Sequence, residues 1–460
     1  MTGHVRRHAV NRNEDNTMQR ALCSLLMTML MASTLAHAVD GEYDPSWPGN
    51  GRIRLDVSSG ADRAEAMMIQ PDGKLVIAGT CNGNSFCAAR LHPSGSYDAS
   101  FGNTGLAGRF VQDFFGSTLD LTAIAMAPDG GILLVGNIVD SAEYGVLMKL
   151  SASGALLEFF QVSPPLFGGE YPLRAIAVQA DGKILVAGTA TNGSNDFAVT
   201  RLRADLTYYD VSFGDPGAPG TKLVAFPGGG YDSVSAIALQ ADGKIVLAGD
   251  SGGKAALARL LPNGQLDDDP VTGFGDGGRA VFNWGLFSRA NAVAIDRDGS
   301  LLVAGSAWGS TGPEPSVDFL LNRLSTRGTQ APGFGLLCPP PFCSEGPVYY
   351  DWANKDDHAY ALAVQNDGKI LVSGSSRSGI NDLFAVVRFD SAGIPDNTFG
   401  NGGQTRSWYG TSAGVDNAKA ILIGNGGVMI AGYSRGASLA EARFGIAKLK
   451  LDLIFAGGFQ

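Results

Sequence analysis

The sequence predicts an all-β fold, a single seven-bladed β-propeller of four-stranded antiparallel blades. Three observations support this prediction: a hairpin signal recurs seven times, glycine is frequent at 64 of 460 residues, and no stretch after the N-terminus has helical periodicity. Repeat folds grow by adding units to one body, so the length does not imply three average domains. Residues 39–460 are therefore expected to form one propeller.

Each repeat starts with two apolar runs that a tight turn joins. The run 236–240 alternates in polarity before Asp242-Gly243, and the run 244–249 ends at a glycine after it. Apolar segments on both sides of Asp-Gly are the strongest short-range hairpin signal. The Asp needs no function of its own, because a tight hairpin requires positive φ there. The first residues of the seven dipeptides are Asp72, Asp129, Asp181, Asp242, Asp298, Asp367 and Asn425.

A third and a fourth strand complete the repeat. The third ends in a basic and an apolar residue, as in Arg90-Leu91, and a signature Asp-x-x-Phe-Gly-x-x-Gly follows from Asp98 to Gly105. A fourth strand such as 108–114 closes a unit of about 57 residues, which is typical of a propeller blade. The alternative fold is a parallel β-helix, whose coils are shorter and lack a hairpin in every repeat.

Alanine occupies two alternating positions of the first strand in blades two to six. Small residues that alternate with larger aliphatic ones suit an inner strand, because inner strands converge on the propeller axis. The pairs are Ala123/Ala125, Ala175/Ala177, Ala236/Ala238, Ala292/Ala294 and Ala361/Ala363.

The last blade lacks a fourth strand of its own. The chain ends soon after a third strand at 444–450, whereas the segment 44–49 resembles a displaced Phe-Gly signature and 52–57 resembles a fourth strand. An open ring would leave two unpaired sheet edges. Residues 51–57 are therefore expected to pair with 444–450 and complete blade seven.

The repeat unit resembles the delta-60 repeat family of bacterial exported and surface proteins. The resemblance lies in Ala-x-Gln-x-Asp-Gly-Lys-Ile, then Ala-x-x-Arg, then Asp-x-x-Phe-Gly, and it covers nearly all of the chain after residue 40; the segment from Asp242 to Leu260 matches best. The second repeat departs most, with Lys149 in place of Arg and no Phe-Gly. The resemblance implies a β-propeller with no general enzymatic activity.

The N-terminus has the pattern of an export signal over residues 1–38. Arg20 precedes an apolar stretch that is too short to span a bilayer, and Ala36-His37-Ala38 forms a small-x-small cleavage site. A start at Met18 would give a compact signal. The mature chain is expected to have no transmembrane segment and to be periplasmic, cell-surface or extracellular.

Four cysteines remain after the signal, in two close pairs. An even number in an exported protein fits disulfides, and a hairpin would bring Cys81 and Cys87 within reach of one another. Cys338 and Cys343 form the second expected pair. A four-cysteine zinc site is the alternative, but the pairs are far apart in sequence and lack Cys-x-x-Cys spacing.

Charge and motifs exclude several functions. The net charge of −10, without a basic run in the mature region, argues against nucleic acid and anionic membranes. The mature chain has two histidines, His92 and His358, and no zinc-protease, nucleophile-elbow, phosphate-loop or dinucleotide motif. The triple aspartate 267–269 lacks the spacing of a calcium loop. No metal and no cofactor are expected.

The repeated basic residues have a structural interpretation. Each is expected to pair with the Asp of the following loop, as Arg90 with Asp98 or Arg388 with Asp396, and the signature Phe is expected to pack between blades. A ring that binds an anion is the alternative. The seven residues are Arg90, Lys149, Arg201, Arg259, Arg323, Arg388 and Lys448.

A ligand is expected on the loop face, the face that carries the connections between strands two and three and between strands four and one. These loops vary most between repeats, and loops on a rigid frame are where binding residues concentrate. The opposite turn face carries the Asp-Gly turns. Aspartates just before first strands and tryptophans at the ends of fourth strands are the candidate ligand contacts, with turn capping and edge covering as the alternative. They are Asp62, Asp120, Asp232, Asp357, Asp416, Trp284, Trp352 and Trp408.

Two function classes remain open. The first is an exported, non-enzymatic binding or scaffold protein for an unknown glycan, peptide or protein partner. The second is a secreted hydrolase or lyase that acts on carbohydrate or peptide with carboxylates near the axis, because a propeller can bring distant acids together. A charged pocket at the axis with a carboxylate of perturbed pKa would favour the enzyme.

Overall fold

The computed structural model of the protein describes residues 40–451, apart from 104, 106, 115, 164–169, 192, 229, 310–315, 336–344, 353, 408, 410–413, 437 and 439–440. Across this part of the chain the fold is all β, and α1 (Pro48–Gly51) is a single four-residue turn of helix. The expected signal at 1–38 and the cysteine pair Cys338 and Cys343 lie outside the described residues.

Strands that follow one another along the chain pair antiparallel into four-stranded sheets, as the hairpin pattern predicts. The strand β1 (Arg52–Leu55) comes first. Sheet 1 contains β2 (Asp62–Ile69), β3 (Leu75–Cys81), β4 (Ser85–Leu91) and β5 (Arg109–Asp113). Sheet 2 contains β6 (Thr118–Met126), β7 (Ile132–Val139), β8 (Glu143–Leu150) and β9 (Leu156–Val162). Sheet 3 contains β10 (Leu173–Val178), β11 (Ile184–Thr191), β12 (Asn195–Leu202) and, after the ribbon β13 (Gly214–Asp215) and β14 (Ala218–Pro219), β15 (Thr221–Val224).

The remaining sheets continue the same order. Sheet 4 contains β16 (Asp232–Leu239), β17 (Ile245–Ser251), β18 (Lys254–Leu260) and β19 (Arg279–Val281). Sheet 5 contains β20 (Phe287–Ile295), β21 (Leu301–Trp308), β22 (Val317–Leu324) and β23 (Val348–Tyr350). Sheet 6 contains β24 (Asp357–Val364), β25 (Ile370–Ser378), β26 (Asn381–Phe389) and β27 (Gln404–Ser407). Sheet 7 contains β28 (Val415–Gly424), β29 (Gly427–Arg435), β30 (Arg443–Lys450) and β1, and one parallel bridge between Asp382 and Val415 joins it to sheet 6.

β1 pairs with β30, which confirms the expected pairing of the N-terminal segment with residues 444–450. Arg52 lies opposite Ala447 and Leu55 lies opposite Phe444 in an antiparallel register. Trp47 is buried, as the signature Phe is in other repeats. The Nζ of Lys448 lies 2.9 Å from Oδ2 of Asp44, which reproduces the Arg–Asp pair of the other sheets with residues from opposite ends of the chain.

The Asp-Gly turns differ from the expected backbone in one respect. In the six turns that begin with Asp, the glycine and not the aspartate has positive φ, as at Gly73 with φ of 79°. These loops are one residue longer than a two-residue hairpin, and the aspartate accepts the N–H two residues on, as Asp72 does from Lys74 at 3.1 Å. Asn425-Gly426 is the two-residue case, with φ of 52° and 74°.

An aromatic ring packs on a glycine of the next sheet in every sheet except sheet 2, and in most of the sheets an arginine adds a second contact. A Cβ added at Gly264 would lie 2.8 Å from the Phe213 ring of the preceding sheet, so only glycine fits. Arg201 pairs with Asp210 at 2.9 Å, stands 4.5 Å from the Phe213 ring centre, and donates across to the carbonyl of Pro262 at 2.6 Å. The ring–glycine contacts are Trp47 with Gly95, Phe101 with Gly154, Phe213 with Gly264, Phe274 with Gly328, Phe334 with Gly393 and Phe399 with Gly41.

The structural interpretation of the basic residues is thereby confirmed for the pairs named from the sequence. Arg90 lies 2.8 Å from Asp98, and Arg388 lies 2.9 Å from Asp396 and 2.6 Å from Asp40. Arg323 differs, because it pairs with Asp296 at 2.6 Å instead of an Asp in the following loop.

Sheet 3 shows what replaces the glycine where the signature Phe is missing. Sheet 2 has no Phe-Gly, and Leu206 occupies the turn position that is glycine in the neighbouring sheets. Leu206 is 3% exposed and keeps the positive φ, at 55°. Its side chain fills space that a ring fills elsewhere, and this burial offsets a backbone conformation that is unusual for leucine.

Cys81 and Cys87 form a disulfide, as the sequence predicts, between the end of β3 and the middle of β4. Both residues are buried in the cluster that joins sheets 1 and 7. In the same region, the backbone N–H of Asp62 donates to the carbonyl of Ala442 at 3.0 Å, and Nδ2 of Asn425 donates to the carbonyl of Gly73 at 2.9 Å. Sheet 7 therefore packs directly on sheet 1.

Candidate ligand-binding cavity

Four of the aspartates predicted to contact a ligand are buried and hold loops. Asp62, Asp232, Asp357 and Asp416 each accept a hydrogen bond from a backbone N–H in the connection that leads into their own strand. For Asp357 the donor is Trp352, at 2.8 Å. This geometry is the turn capping that the sequence left as the alternative.

Burial controls the ionisation of these carboxyl groups. Desolvation raises the pKa of Asp357 to about 7 and that of Asp416 to about 6, against the hydrogen bonds that favour the charged forms. The pKa values of Asp62 and Asp232 are raised by the same cause. Burial therefore disfavours the charged form of each of these acceptors.

The two described candidate tryptophans are also inside the protein. Trp284 is buried and stacks on Phe282 with ring centres 4.4 Å apart. Trp352 is buried, packs edge-on against Phe319 at 4.9 Å, and donates its indole N–H to Gln404. Trp408 lies outside the described residues.

Asp120 is the exception among the candidates, because it lies in a cavity. In the strand pairing it stands one position later than the other aspartates: Asp120 faces Asn137 just before Leu121 pairs with Gly136, as Arg63 faces Thr80 just before Ala64 pairs with Gly79. The side chain of Asp120 therefore points where that of Arg63 points, into a cavity of about 540 Å³ that both residues line.

Residues from the first strands of all seven sheets line this cavity. The cause is a β-bulge at the same place in each first strand, where one residue is left out of the pairing with the second strand. A bulge re-aims a side chain, and here it turns that side chain toward the cavity. The bulged residues are Glu65, Thr122, Arg174, Ser235, Asn291, Tyr360 and Lys419, and each of them lines the cavity.

The cavity opens toward the loop face. Its lining residues lie at the beginnings of the first strands, next to the connections from the preceding fourth strands, and Tyr231 from one such connection stands at its rim. The alanine pairs lie beyond the bulge along the same strands. All of them except Ala175 are partly exposed although their strands are central in the protein, which fits an inner strand that faces an axis.

A chain of opposite charges runs round one half of the cavity. Lys419 lies 3.8 Å from Glu65, and Arg63 lies 3.6 Å from Glu65 and 3.7 Å from Asp120. Arg174 continues the chain at 2.9 Å from Asp120. Charged groups from sheets 7, 1, 2 and 3 thus alternate in sign along the wall.

The other half of the cavity is mostly neutral and polar. Arg289 lies 3.0 Å from Asp250 and donates to the hydroxyls of Ser233 at 2.7 Å and Ser235 at 3.1 Å. Nδ2 of Asn291 donates to the carbonyl of Ala359 at 2.7 Å. This half offers hydroxyl and amide groups together with one guanidinium.

Two carboxyl groups of the cavity have perturbed ionisation. Burial raises the pKa of Glu65, although Lys419 and Arg63 oppose the shift. Burial likewise raises the pKa of Asp250 against the charge of Arg289. Carboxyl groups with raised pKa values inside a polar cavity are typical of functional sites, although structural ion pairs perturb pKa values too.

Within the described residues, no group of three or more His, Cys, Asp or Glu side chains could hold a metal ion. In the same ranges, no helix has the length and apolar character that crossing a bilayer requires.

Sequence reasoning missed the bulged residues, although a signal was present. Each bulged residue stands directly before an alanine of the first strand: Thr122 precedes Ala123, and Tyr360 precedes Ala361. At this one position the repeats carry seven different polar residues. A position that never repeats inside an otherwise regular unit could have been found by aligning the repeats.

The comparisons with known proteins agree with the fold. A family model described as domain of unknown function (DUF5122) beta-propeller matches residues 70–101, 179–207, 240–269 and 365–399. Each match spans an Asp-Gly turn with its following strands. No curated protein is similar enough in sequence to count as a relative.

Several solved structures are similar in fold at low identity. A catalytically inactive virginiamycin B lyase from Staphylococcus aureus with quinupristin is 12% identical over 87% of this chain and 99% of that one, with a TM-score of 0.45. A gluconolactonase from Xanthomonas campestris is 13% identical over 73% and 90%, with a TM-score of 0.35. Drosophila semaphorin 1b, extracellular domains 1–2, is 8% identical over 90% and 88%, with a TM-score of 0.38. Likenesses this distant carry no argument about activity.

Proposed function

Because this chain belongs to the DUF5122 beta-propeller family, we propose that its seven sheets are the blades of one closed ring and that the cavity lies at the axis of that ring. Two contacts support closure: β1 supplies the outer strand of sheet 7, and Trp47 packs on Gly95 of sheet 1. With β1 in place the edge of β30 is paired, and a shared buried cluster joins sheets 7 and 1.

We propose further that the protein is an exported, non-enzymatic binding propeller whose ligand enters the axial cavity from the loop face. The observation that carries this proposal is the contrast at the bulge. The backbone repeats there in every sheet, but the side chain differs in every sheet. A purely structural position would repeat its side chain, as the Asp-Gly turns do, whereas a single asymmetric ligand needs a different contact from each blade.

Export is supported by two features. The N-terminal apolar segment with its small-x-small site has the pattern of a cleaved signal. The buried disulfide between Cys81 and Cys87 is of the kind that persists in oxidising compartments.

A cavity-filling variant tests the binding site. The mature chain, residues 39–460, would be screened on glycan and peptide arrays, and its binding to the best probe measured for the parent, Ser235→Trp and Ser94→Trp. Ser235 lines the cavity, so a tryptophan there would occupy the ligand's space and reduce affinity at least about tenfold. Ser94 is exposed on a turn at the opposite face, so its variant should bind like the parent. Equal binding by all three proteins would overturn the assignment.

A secreted enzyme is the second candidate, and the raised pKa of Glu65 is the observation that favours it. Burial favours the protonated form of Glu65, and a protonated carboxyl can act as a general acid toward a glycosidic oxygen. If the protein is an enzyme, incubation with an array probe would release product, and Glu65→Gln would abolish that release while binding persists. Binding without turnover, retained in Glu65→Gln, supports the binding protein.

A further inference from the structure

The guanidinium groups of the cavity are more exposed than the carboxylates they pair with. The side chains of Arg63 and Arg289 are each 46% exposed, whereas Glu65 and Asp250 are 15% exposed. Arg174, at 39%, likewise exceeds its partner Asp120, at 33%. A solute in the cavity therefore contacts more arginine surface than carboxylate surface.

The charge of the lining has the opposite sign to that of the chain. Among the described residues, four basic and three acidic side chains line the cavity, which leaves one positive charge (4 − 3), whereas the whole protein carries −10. A positive concavity on an acidic protein concentrates anions at that place, because field lines focus in a cleft with low-dielectric walls. The basic lining residues are Arg63, Arg174, Arg289 and Lys419.

The arginines retain donors for a ligand. The contacts of Arg63 with Glu65 and Asp120, at 3.6 and 3.7 Å, are longer than hydrogen bonds. Arg289 contacts Asp250, Ser233 and Ser235 through Nε and one terminal nitrogen. A guanidinium carries five N–H donors in a fork that matches a carboxylate or a sulfate group.

Neutral groups complete the cavity and narrow the ligand class. At the bulge, Ser235 offers a hydroxyl and Asn291 an amide oxygen, whereas the hydroxyl of Thr122 donates to the carbonyls of Val135 and Leu173. Tyr231 at the rim is 61% exposed. Hydroxyl and amide groups suit a polyol, and an exposed aromatic ring offers an apolar face on which a sugar can rest. The volume of about 540 Å³ lies within the usual range for small-molecule sites.

We propose that the axial cavity binds a saccharide that bears an anionic group, a carboxylate or a sulfate, and that Arg63, Arg174 and Arg289 hold the anion. This inference rests on the proposed axial binding site and adds the charge of the ligand to it. The three arginines come from sheets 1, 3 and 5, so they approach one ligand from different sides.

Calorimetric titration of the mature chain tests the proposal with four probes: a galacturonic acid trimer, the neutral galactose trimer, a sulfated galactose trimer and inorganic sulfate. We expect an acidic trimer to bind and the neutral one to bind at least about tenfold more weakly. The two acidic trimers distinguish carboxylate from sulfate as the source of the charge. Affinity should also fall as salt rises from about 50 mM to about 500 mM, because the charges are screened. Binding of inorganic sulfate as tight as that of the trimers would overturn the saccharide part of the proposal.

Arginine variants complete the test. Arg289→Gln and Arg174→Gln should each weaken binding of the acidic trimer about tenfold, whereas Arg203→Gln, at an arginine 55% exposed outside the cavity, should not. If Arg289→Gln lowers the melting temperature, Arg63→Gln replaces it. Binding of the neutral trimer that Ser235→Trp removes but the arginine variants leave intact would overturn the anionic ligand and keep the axial site. Acidic binding that Ser235→Trp leaves unchanged would overturn both proposals.

Discussion

The turn face and the axial cavity are built from the same repeat and use it in opposite ways. At the turn face, an equivalent position carries the same residue in most sheets: Asp-Gly in the hairpin, glycine under the neighbouring ring, arginine beside the signature Phe. At the bulge, the same backbone carries seven different side chains. Local geometry dictates the residue at the turn face, because φ and contact distance admit few choices. At the bulge, local geometry fixes only the direction in which the side chain points. The identity of that side chain can therefore be set by contact with a ligand.

The largest expected effect comes from the segment that joins the two ends of the chain. Deleting residues 39–58 removes β1, the buried Trp47 and the partners Asp40 and Asp44 of Arg388 and Lys448. Loss of a buried tryptophan alone costs about 3–5 kcal/mol, and the deletion also exposes a strand edge. Unfolding in urea should show a loss of more than about 5 kcal/mol. A shortened chain that unfolds like the parent would remove the support for closure.

Substitution of a repeated arginine should have the next largest effect on stability. The side chain of Arg388 is 0% exposed and binds both Asp396 and Asp40. Burial raises the pKa of Asp396, but hydrogen bonds from Thr398 and Lys369 and the charge of Arg388 outweigh it and lower that pKa to about 2. Removing one partner of a buried pair typically costs about 3–5 kcal/mol.

Arg388→Ala should therefore lower the free energy of unfolding by about that amount. Arg323→Ala is the matched comparison, because Arg323 is 17% exposed and pairs with a different set of aspartates. Its effect should be smaller. Equal small losses from both variants would show that the repeated arginines do not hold the sheets together.

The buried aspartates of the loop face are predicted to act on stability through pH. The folded pKa of Asp357, about 7, lies above its ordinary value of 3.8, so the folded state binds more protons than the unfolded state between these values. The stabilisation is complete below about pH 4 and is lost as pH rises through about 7. The loss is at most about 4 kcal/mol, at about 1.4 kcal/mol for each pKa unit.

Asp357→Asn should remove this dependence, since the amide oxygen can still accept the N–H of Trp352. Urea unfolding of parent and variant at about pH 5 and about pH 8 measures it, and the difference between the two proteins is the relevant quantity. That difference cancels the titration of the neighbouring His358, whose pKa burial lowers. We expect the free energy of unfolding of the variant, relative to that of the parent, to be higher at about pH 8 than at about pH 5. A constant difference would mean that the carboxyl is not buried as described.

The sequence predicted the fold at positions where a single structural requirement fixes the residue type. Asp-Gly located the hairpins, the Phe-Gly signature located the packing between sheets, and Trp47 stood in for the missing ring of sheet 7. Its account of the turn backbone was wrong for the six Asp turns, because the loop is one residue longer and the glycine alone takes the positive φ. Strand counting could not show this, since both loop lengths accept Asp-Gly.

The cavity was not predicted, because the pattern of polar and apolar residues within a single strand does not reveal the bulge, which only an alignment of the repeats would have shown. Asp120 was placed among the aspartates that begin first strands, yet the pairing puts it where Arg63 lies. Trp284 and Trp352 were proposed as ligand contacts because they follow fourth strands on the loop face; both are buried, against Phe282 and Phe319. The register of the first strands, which depends on contacts across sheets, distinguishes an aspartate that lines the cavity from one that is buried.

The smallest expected effects test the contrast between the turn face and the cavity most directly. One variant adds a methyl group at the turn face, and the other removes a hydroxyl from the cavity. At Gly264, φ is +87° and a new Cβ would lie 2.7 Å from the backbone N of Gly214, so Gly264→Ala strains both backbone and packing. At Ser235 the hydroxyl faces the cavity, so Ser235→Ala removes a group that only Arg289 contacts among the hydrogen bonds of the described residues. We expect Gly264→Ala to cost about 1–3 kcal/mol and Ser235→Ala less than about 0.5 kcal/mol in urea unfolding. Ligand affinity should show the reverse order, because the bulged residue is a contact and the turn glycine is not. If Ser235→Ala destabilises the protein as much as Gly264→Ala does, the bulged side chains are part of the frame, and their variety would need another explanation than a ligand.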